Sequence, residues 1–263
     1  MRRSRLTVVG NAVALPLLLA VLWWVASADS ESIYFPSLQK ILGAFPETWL
    51  DDGWGSSIIV DGVPSVARLA IGFASAALIA VALGTAIGLH PRLRAFVEPV
   101  LELVRAIPGP VLVPVVSLFA GIGDGMKVAV ITLGALWPIL LNTIDGVRGV
   151  DPVMTETARS YHLSRPRRLI ALVLPAASPQ IFAGMRQGLS VGIILMVISE
   201  MFAATNGLGF SVVQFQRNFA LPEMWTGIIV LGTLGLLASL VLQFAETRVL
   251  RWYTGLRAAD HES

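Results

Sequence analysis

The sequence has no cysteine, only three histidines and few charged residues. No disulfide, thiolate metal site or cysteine nucleophile is therefore available. The histidines, at positions 90, 162 and 261, are too scattered to suggest a shared metal site, and no Ser-His-Asp constellation is evident. Charged residues make up 14% of the chain, against about 25% in a typical soluble domain, and the net charge of +2 gives no support for nucleic-acid binding. An enzyme or a nucleic-acid-binding protein is poorly supported.

Hydrophobic residues make up 55% of the 263 residues and are concentrated in long runs. A membrane-spanning helix needs about 20 mainly apolar residues. The apolar stretch 169–199 is too long for one span and too short for two, so we place its span at 181–203 and treat 169–180 as interfacial. We predict an all-α integral membrane protein of about six transmembrane helices, at 6–28, 69–89, 106–123, 128–144, 181–203 and 224–245.

The distribution of basic residues predicts the orientation, because cytoplasmic loops retain Lys and Arg. With the N-terminus inside, the outer segments hold only Lys40, Lys127 and Arg217. Both termini are therefore expected in the cytoplasm. The inner segments would hold Arg2, Arg3, Arg5, Arg92, Arg94, Arg148, Arg159, Arg165, Arg167, Arg168, Arg248, Arg251 and Arg257.

The predicted domain boundaries follow from these spans. Residues 1–28 form an N-terminal transmembrane helix, although a cleavable signal peptide ending at Ala26-Ser27-Ala28 is an alternative. Residues 29–64 form an extracytoplasmic segment, either partly ordered at the interface or a plain linker. Residues 65–246 form a core of five transmembrane helices with a cytoplasmic loop at 146–180, and 247–263 form a cytoplasmic tail.

The loop 146–180 carries two helix-start signals. Asp151-Pro152 can cap a helix that runs to about Tyr161, and Ser164 can cap a second helix that ends before Pro175. Along the first helix, Val153, Thr157 and Tyr161 recur at i, i+4 and form one face. This hairpin is either a docking site for a partner or a membrane-surface element held by anionic lipids through Arg165, Arg167 and Arg168.

The same loop resembles the EAA loop of the permease subunits of bacterial ABC importers. Glu156-Thr157-Ala158 matches the start of that motif, and Leu172-Val173-Leu174-Pro175 matches its end at the usual spacing. His162 stands where the motif has glycine. Further stretches resemble the nitrate/sulfonate/taurine branch of these importers, namely 105–108, 121–124, 142–148, 199–201 and 207–209.

The resemblance implies a type I ABC importer permease fold and a set of partners. These are a second permease copy as a homodimer, two cytoplasmic ABC ATPases, an extracytoplasmic solute-binding protein and the lipid bilayer of a bacterial inner membrane, with no nucleic acid. The chain has no Gly-x-x-x-x-Gly-Lys-Ser/Thr phosphate loop, so ATP and Mg²⁺ are expected on the partner ATPase and no cofactor in this chain. The residues implied in ATPase coupling are Glu156, Thr157, Ala158, Tyr161, His162, Leu163 and Pro175.

The expected function is import of a small anion such as an aliphatic sulfonate or taurine. Nitrate, a thiamine-precursor pyrimidine or another small solute are alternatives within the class. A secondary transporter is the alternative outside it, but neither an ion-coupling site nor an internal repeat is evident.

Charged residues inside spans are costly and suggest function unless they are paired. Arg68, Arg105 and Glu200 are candidates for the translocation path. Glu102 lies three residues before Arg105, so these two are expected to pair, and Arg186 is expected to extend to the inner interface. Glu200 either reaches water or, from its place beside the glycine-rich loop 206–209, serves as a gate or a binding-protein contact. Finally, Pro108, Pro110 and Pro114 predict a bent third span.

Overall fold

The computed structural model describes residues 5–51 and 58–253, with side chains from Ala14 onward except that of Ala203. The described residues are mainly helical and contain no strand. The predicted tail beyond residue 253 and the first four residues lie outside the described residues. The helices are α1 (Arg5–Ser27), α2 (Leu38–Trp49), α3 (Val63–Leu89), α4 (Pro91–Arg105), α5 (Leu112–Ala120), α6 (Asp124–Arg148), α7 (Pro152–Ser160), α8 (Arg165–Arg168), α9 (Leu174–Ala203), α10 (Leu208–Arg217) and α11 (Leu221–Val249).

Three long helices, α3, α6 and α9, form the centre of the molecule, with α6 packed between the other two. Glycines allow these helices to approach closely, as is common between membrane helices. A Cβ on Gly84 of α3 would lie 2.7 Å from a Thr143 side-chain carbon of α6, and a Cβ on Gly188 of α9 would lie 2.8 Å from one of Ile139. The core therefore requires small residues at these crossings.

The candidate membrane spans agree with the predicted all-α membrane architecture. Four helical stretches are long and apolar enough to cross a bilayer: 58–89, 124–148, 165–202 and 221–249. The bent pair formed by α4 and the stretch 109–120 makes a fifth, and Ala14–Ser27 of α1 is a shorter apolar helix. With α1 counted, the total is the predicted six.

The predicted span 106–123 is wrong in its boundaries, whereas the predicted bend is confirmed. Helix α4 ends at Arg105, and a 3₁₀ turn at Gly109–Val111 leads into α5, with an angle of 83° across the break. The stretch 109–120 is only about 18 Å long, so it cannot cross the bilayer alone. The break occurs where Pro108 lacks a backbone N–H and disfavours a helical conformation for Ile107.

The prediction that the helix after Ser164 ends before Pro175 is also wrong. A π-helical segment, Leu169–Val173, joins α8 to α9, and Pro175 lies in the first turn of α9. Proline has no backbone N–H to donate. It is tolerated at that position because the π-helical segment shifts the register of the backbone hydrogen bonds just before it. The continuous stretch 165–202 agrees with the expectation of one span here and not two.

The segment predicted to be extracytoplasmic contains an ordered helix. Helix α2 begins after Ser37, whose hydroxyl accepts a hydrogen bond from the Lys40 N–H, and packs against α11. The Trp49 indole N–H donates to the Thr226 hydroxyl at 2.8 Å, and both side chains are buried. Part of this segment is therefore structured and not a plain linker.

Candidate functional site

Two features contain most of the predicted functional residues. The hairpin of residues 149–164 follows α6, and a buried charge cluster lies near the starts of α3 and α6. Arg68 is 21 residues before Leu89 at the end of α3, which corresponds to about 30 Å of helix, so the two features lie at opposite ends of the helices. We call these the hairpin end and the cluster end.

Local sequence signals determine where α7 begins in the hairpin. The Asp151 carboxylate accepts a hydrogen bond from the Val153 N–H at 2.8 Å, and Pro152 occupies the first turn. This is the predicted cap, and proline is favourable there because a first-turn N–H has no helical partner. Ser164 occupies the cap position before α8, but its side chain makes no capping hydrogen bond.

The end of α7 is closed by His162. Its φ is +54°, the left-handed conformation that glycine usually adopts, so the histidine takes the backbone conformation typical of the motif glycine. The His162 N–H donates to the Arg159 carbonyl at 2.8 Å, and the Leu163 N–H donates to the Ala158 carbonyl at 3.0 Å. These two bonds are the pattern of a Schellman turn with histidine at the glycine position.

Most residues of α7 are exposed, and Ala158 is the only buried residue of this helix. Val153 is 67% exposed and Tyr161 is 79% exposed, and Thr157 between them is also exposed, so the predicted face is accessible in this chain. Ala158, by contrast, is only 6% exposed. The Ala158 side chain is therefore largely covered by the chain itself, and its role in ATPase coupling stays a prediction.

The remaining predicted coupling residues have separate positions. Glu156 is exposed and makes no ion pair with any described residue, whereas Thr157 donates its hydroxyl to the Val153 carbonyl at 2.8 Å. Leu163 is half-buried after the turn. Pro175 lies on α9, so the hairpin and this helix form one continuous chain of helical elements.

At the cluster end, ionisable and polar side chains from three helices meet. The side chains of Arg68 and Lys127 are each 4% exposed and that of Glu200 is fully buried. Buried charges are rare unless they are paired and hydrogen-bonded. The charge cluster consists of Asp61, Ser65, Arg68, Asp124, Lys127, Glu200 and the loop residues Asn206 and Gly207.

Arg68 is the centre of the charge cluster. Its guanidinium pairs with Glu200 at 2.7 Å and with Asp124 at 2.6 Å, and it also donates to the Asn206 side chain and carbonyl. Asp124 contacts Lys127 as well, at 3.6 Å, and its own side chain is 72% exposed. The Arg68 donors are therefore engaged by the chain itself, through four contacts on α6, α9 and the following loop.

Glu200 is buried and accepts three kinds of donor. Besides Arg68, these are the Ser65 hydroxyl at 2.8 Å and the Gly209 N–H at 3.0 Å. The interpretation in which Glu200 merely reaches water is wrong, because its side chain is fully buried, and its role as a gate or a binding-protein contact stays a prediction. The chain fold, not solvent, satisfies this carboxylate.

Gly207 is required where the loop passes over the cluster. Its φ is +120°, and a Cβ there would lie 2.5 Å from the Glu200 carboxylate carbon. Its N–H donates to the Asp61 carboxylate at 2.8 Å. Only glycine combines this backbone conformation with this close approach.

The structure does not bring Arg105 into the charge cluster. Arg105 pairs with Glu102 at 2.8 Å, and both side chains are about half exposed, as expected for an i, i+3 pair. Arg186, which was expected to extend to the inner interface, forms an ion pair with Glu246 of α11. Of the three residues predicted for the translocation path, Arg68 and Glu200 are in contact and Arg105 belongs to another surface.

Sequence reasoning missed four members of the cluster and the contacts among all of them. Asp61, Ser65 and Arg68 recur at i, i+4, i+7, which places them on one helical face and was a usable signal. Asp124 and Lys127 are likewise three residues apart. No local pattern, however, indicates that these two groups meet Glu200.

A family model and two curated relatives that match this chain agree with one another. The family model described as "Binding-protein-dependent transport system inner membrane component" matches residues 76–253. The taurine transport system permease protein TauC of Escherichia coli is 31% identical over 245 residues, covering 91% of this chain and 88% of that protein. The nitrate import permease protein NrtB of Synechocystis is 28% identical over 252 residues, covering 92% of this chain and 90% of that protein.

A solved structure supports the fold. The MetNI methionine ABC transporter in an inward-facing conformation contains a chain that matches with a TM-score of 0.54 and 22% identity. The match covers 70% of this chain and 91% of that chain. The type I importer architecture expected from the hairpin motif is therefore present.

Proposed function

The chain belongs to the binding-protein-dependent transport system inner membrane component family, in its nitrate/sulfonate/taurine branch, and from this we propose that it is the permease subunit of an ATP-driven importer of a small anion. It is a multi-pass membrane protein, and we assign it to a bacterial inner membrane. The first proposed substrate is taurine or an aliphatic sulfonate, because TauC is 31% identical over almost the whole chain. NrtB has similar coverage, so nitrate is the second candidate.

The proposed assembly has two copies of this chain, two cytoplasmic ATPases that hold ATP and Mg²⁺, and an extracytoplasmic solute-binding protein. The family description supports the binding protein. The absence of a phosphate loop from the sequence supports separate ATPases. In this arrangement the hairpin end is cytoplasmic and the cluster end faces the binding protein.

The observation that carries the proposal is the exposed face of α7 at the EAA spacing. Val153, Thr157 and Tyr161 lie on this face, and the face has no covering element among the described residues. The Asp151 cap and the His162 turn fix both ends of the helix. A short helix that is fixed at both ends can move as a rigid unit when an ATPase domain moves, and it can pass this movement on to α6 and α9.

Ala158 then acts inside the hairpin and not at the ATPase surface. Tyr161 provides the large exposed side chain for a groove on the ATPase. Glu156 is exposed beside this face and is available for a charged partner.

We assign the charge cluster to closure of the outer end. The Arg68 contacts leave no cation free for an anion in this conformation, which argues against Arg68 as a resting substrate site. The same contacts join the start of α3 to the loop after α9. Closure of the outer end in this state is compatible with the inward-facing conformation of the matched MetNI structure.

The test is ATP-dependent uptake by the complete complex in vesicles, with the cognate ATPase and binding protein added. We expect uptake of taurine or an alkanesulfonate that requires ATP and the binding protein. Nitrate and a thiamine-precursor pyrimidine are run in parallel as the competing substrates.

Two outcomes separate the alternatives. Uptake of nitrate or the pyrimidine but not of a sulfonate would retain the permease assignment and change its substrate. Uptake driven by an ion gradient with no ATPase present would indicate a secondary transporter and overturn the proposed function.

A further inference from the structure

Three adjoining cavities on the hairpin side of α3 and α9 change from apolar to strongly basic. The first is an apolar groove of about 570 Å³ between α3 and α9. The second, of about 540 Å³, shares Leu169 with the groove and adds His90, Arg165 and Arg168. The third, of about 340 Å³, shares Arg168 with the second, and we call it the arginine cavity.

The arginine cavity has an unusual concentration of positive charge. Arg94 from α4, Arg148 from α6, Arg159 from α7 and Arg168 from α8 all line it. None of the described residues that line the three cavities carries a carboxylate. Of these four arginines Arg148 pairs with Asp145 at 3.5 Å, and the other three have no carboxylate partner among the described residues. A dianionic or monoanionic phosphate is the ligand that this geometry favours.

The apolar groove and the second cavity together have about the length of one leaflet. Its lining on α3 runs from Ala77 to Thr85, and the second cavity continues to Leu89 and His90. From Ala77 to Leu89 the helix rises about 18 Å, close to half of the roughly 30 Å hydrocarbon core. An acyl chain in the groove would therefore bring its headgroup to the arginines.

The groove also contains an unpaired polar group. Thr85 lines it and is 7% exposed, and its hydroxyl has no hydrogen-bond partner among the described residues. A buried hydroxyl without a partner is unfavourable. The hydroxyl oxygen is itself shielded from solvent, so a lipid carbonyl reaches it only if the Thr85 side chain turns toward the groove.

We propose that the apolar groove and the arginine cavity together bind one anionic phospholipid. The acyl chain lies between α3 and α9, and the headgroup phosphate contacts Arg94, Arg159 and Arg168. Because Arg159 belongs to α7, the lipid connects the bilayer to the hairpin. This site is independent of the identity of the transported substrate.

The test measures lipid retained by the full-length chain in native mass spectrometry, from micelles containing equal amounts of phosphatidylglycerol and phosphatidylcholine. Arg168→Gln is compared with Arg167→Gln, since Arg167 is the next residue but lines none of the three cavities. One basic side chain near an anionic lipid surface contributes about a fivefold preference. We expect Arg168→Gln to reduce the phosphatidylglycerol preference about fivefold and Arg167→Gln to reduce it less than about twofold.

A second pair of variants tests the acyl chain. Ala82 lines the groove and Ala86, one turn later on α3, does not, and both are exposed. Ala82→Trp fills the groove and is expected to abolish phosphatidylglycerol retention, whereas Ala86→Trp leaves it unchanged. Thermal unfolding in phosphatidylcholine micelles checks that all four variants are folded.

Free phosphates distinguish the headgroup from the whole lipid. Inorganic phosphate and glycerol phosphate are expected not to displace the lipid at equal concentration, because they gain nothing from the groove. Displacement by either, or full retention in Ala82→Trp, would show a site for a soluble phosphate and overturn the proposal. Equal retention of the two lipids by the unmodified chain, or equal effects of the two arginine variants, would also overturn it.

Discussion

Removal of the Glu200 carboxylate should destabilise the protein strongly. In Glu200→Ala, Arg68 loses its buried partner at 2.7 Å and the Gly209 N–H loses its acceptor at 3.0 Å. Breaking a buried ion pair costs about 3–5 kcal/mol, and an orphaned donor about 1–3 kcal/mol. Ser65 keeps the Asp61 carbonyl as an acceptor at 3.0 Å. Since contributions within one network do not add, we expect a loss of about 4 kcal/mol in the free energy of unfolding.

The matched control is Glu102→Ala, which removes the partner of an exposed arginine. Glu102 and Arg105 are 2.8 Å apart but about half exposed, so this pair should contribute about 0–1 kcal/mol. The two variants remove the same chemical group from the same kind of pair and differ in burial. Because Glu200→Ala also removes the acceptor of the Gly209 N–H, their difference measures the effect of burial together with that of this additional hydrogen bond.

The assay is equilibrium unfolding of the purified full-length chain in mixed micelles, titrated with sodium dodecyl sulfate and followed by tryptophan fluorescence. A double-mutant cycle of Arg68→Ala and Glu200→Ala should give a coupling of about 2 kcal/mol, within the range for residues in contact. If Glu200→Ala costs no more than Glu102→Ala, or if the cycle gives no coupling, the charge cluster does not stabilise the fold as argued.

Four further predictions follow from the same structure. Gly207→Ala should lower the free energy of unfolding by at least about 2 kcal/mol, because Gly207 has a positive φ and no room for a Cβ. Gly43→Ala is the control in the same titration. Gly43 lies in a helix with open space around it, so this change should raise the free energy of unfolding by up to about 1 kcal/mol. His162→Gly should keep uptake intact and raise stability by about 1 kcal/mol through relief of the left-handed backbone; a loss of uptake would show that the imidazole itself acts. Tyr161→Ala should uncouple ATP hydrolysis from uptake without changing the free energy of unfolding, because the side chain is exposed. Ala158→Pro should uncouple the two by breaking α7, at a cost of about 3 kcal/mol. Normal coupling in both variants would exclude the hairpin as the transmission element. A reporter that is active only in the periplasm should be inactive when fused to the C-terminus, and activity there would contradict the predicted orientation.

The hairpin was predictable because its signals are local. The cap at Asp151, the proline after it and the left-handed residue at His162 all act within a few residues of the chain. The exposure of Ala158 was not predictable in the same way. Whether that alanine faces outward or inward depends on where α7 lies against the rest of the chain.

The broken span shows the limit of hydropathy. The apolar run 106–123 is long enough to predict a span, but hydropathy does not register the change of direction at Pro108. Helix α4, which carries Glu102 and Arg105, supplies the remaining length of the bent pair. The proline pattern predicted a bend but not its angle or the helix on its other side.

Local sequence was enough to predict the lipid surroundings of this protein, most of its long helices and the start of the hairpin helix. A chain in lipid must satisfy its backbone hydrogen bonds within each segment, so long apolar runs become helices whatever their neighbours are. Tertiary structure alone decided that Arg68 meets Glu200, which is 132 residues away, and that Gly207 closes over both. It also decided that arginines from four helices line one cavity beside an apolar groove. Such contacts depend on how distant helices pack, and the side-chain pattern of any single helix does not contain that information.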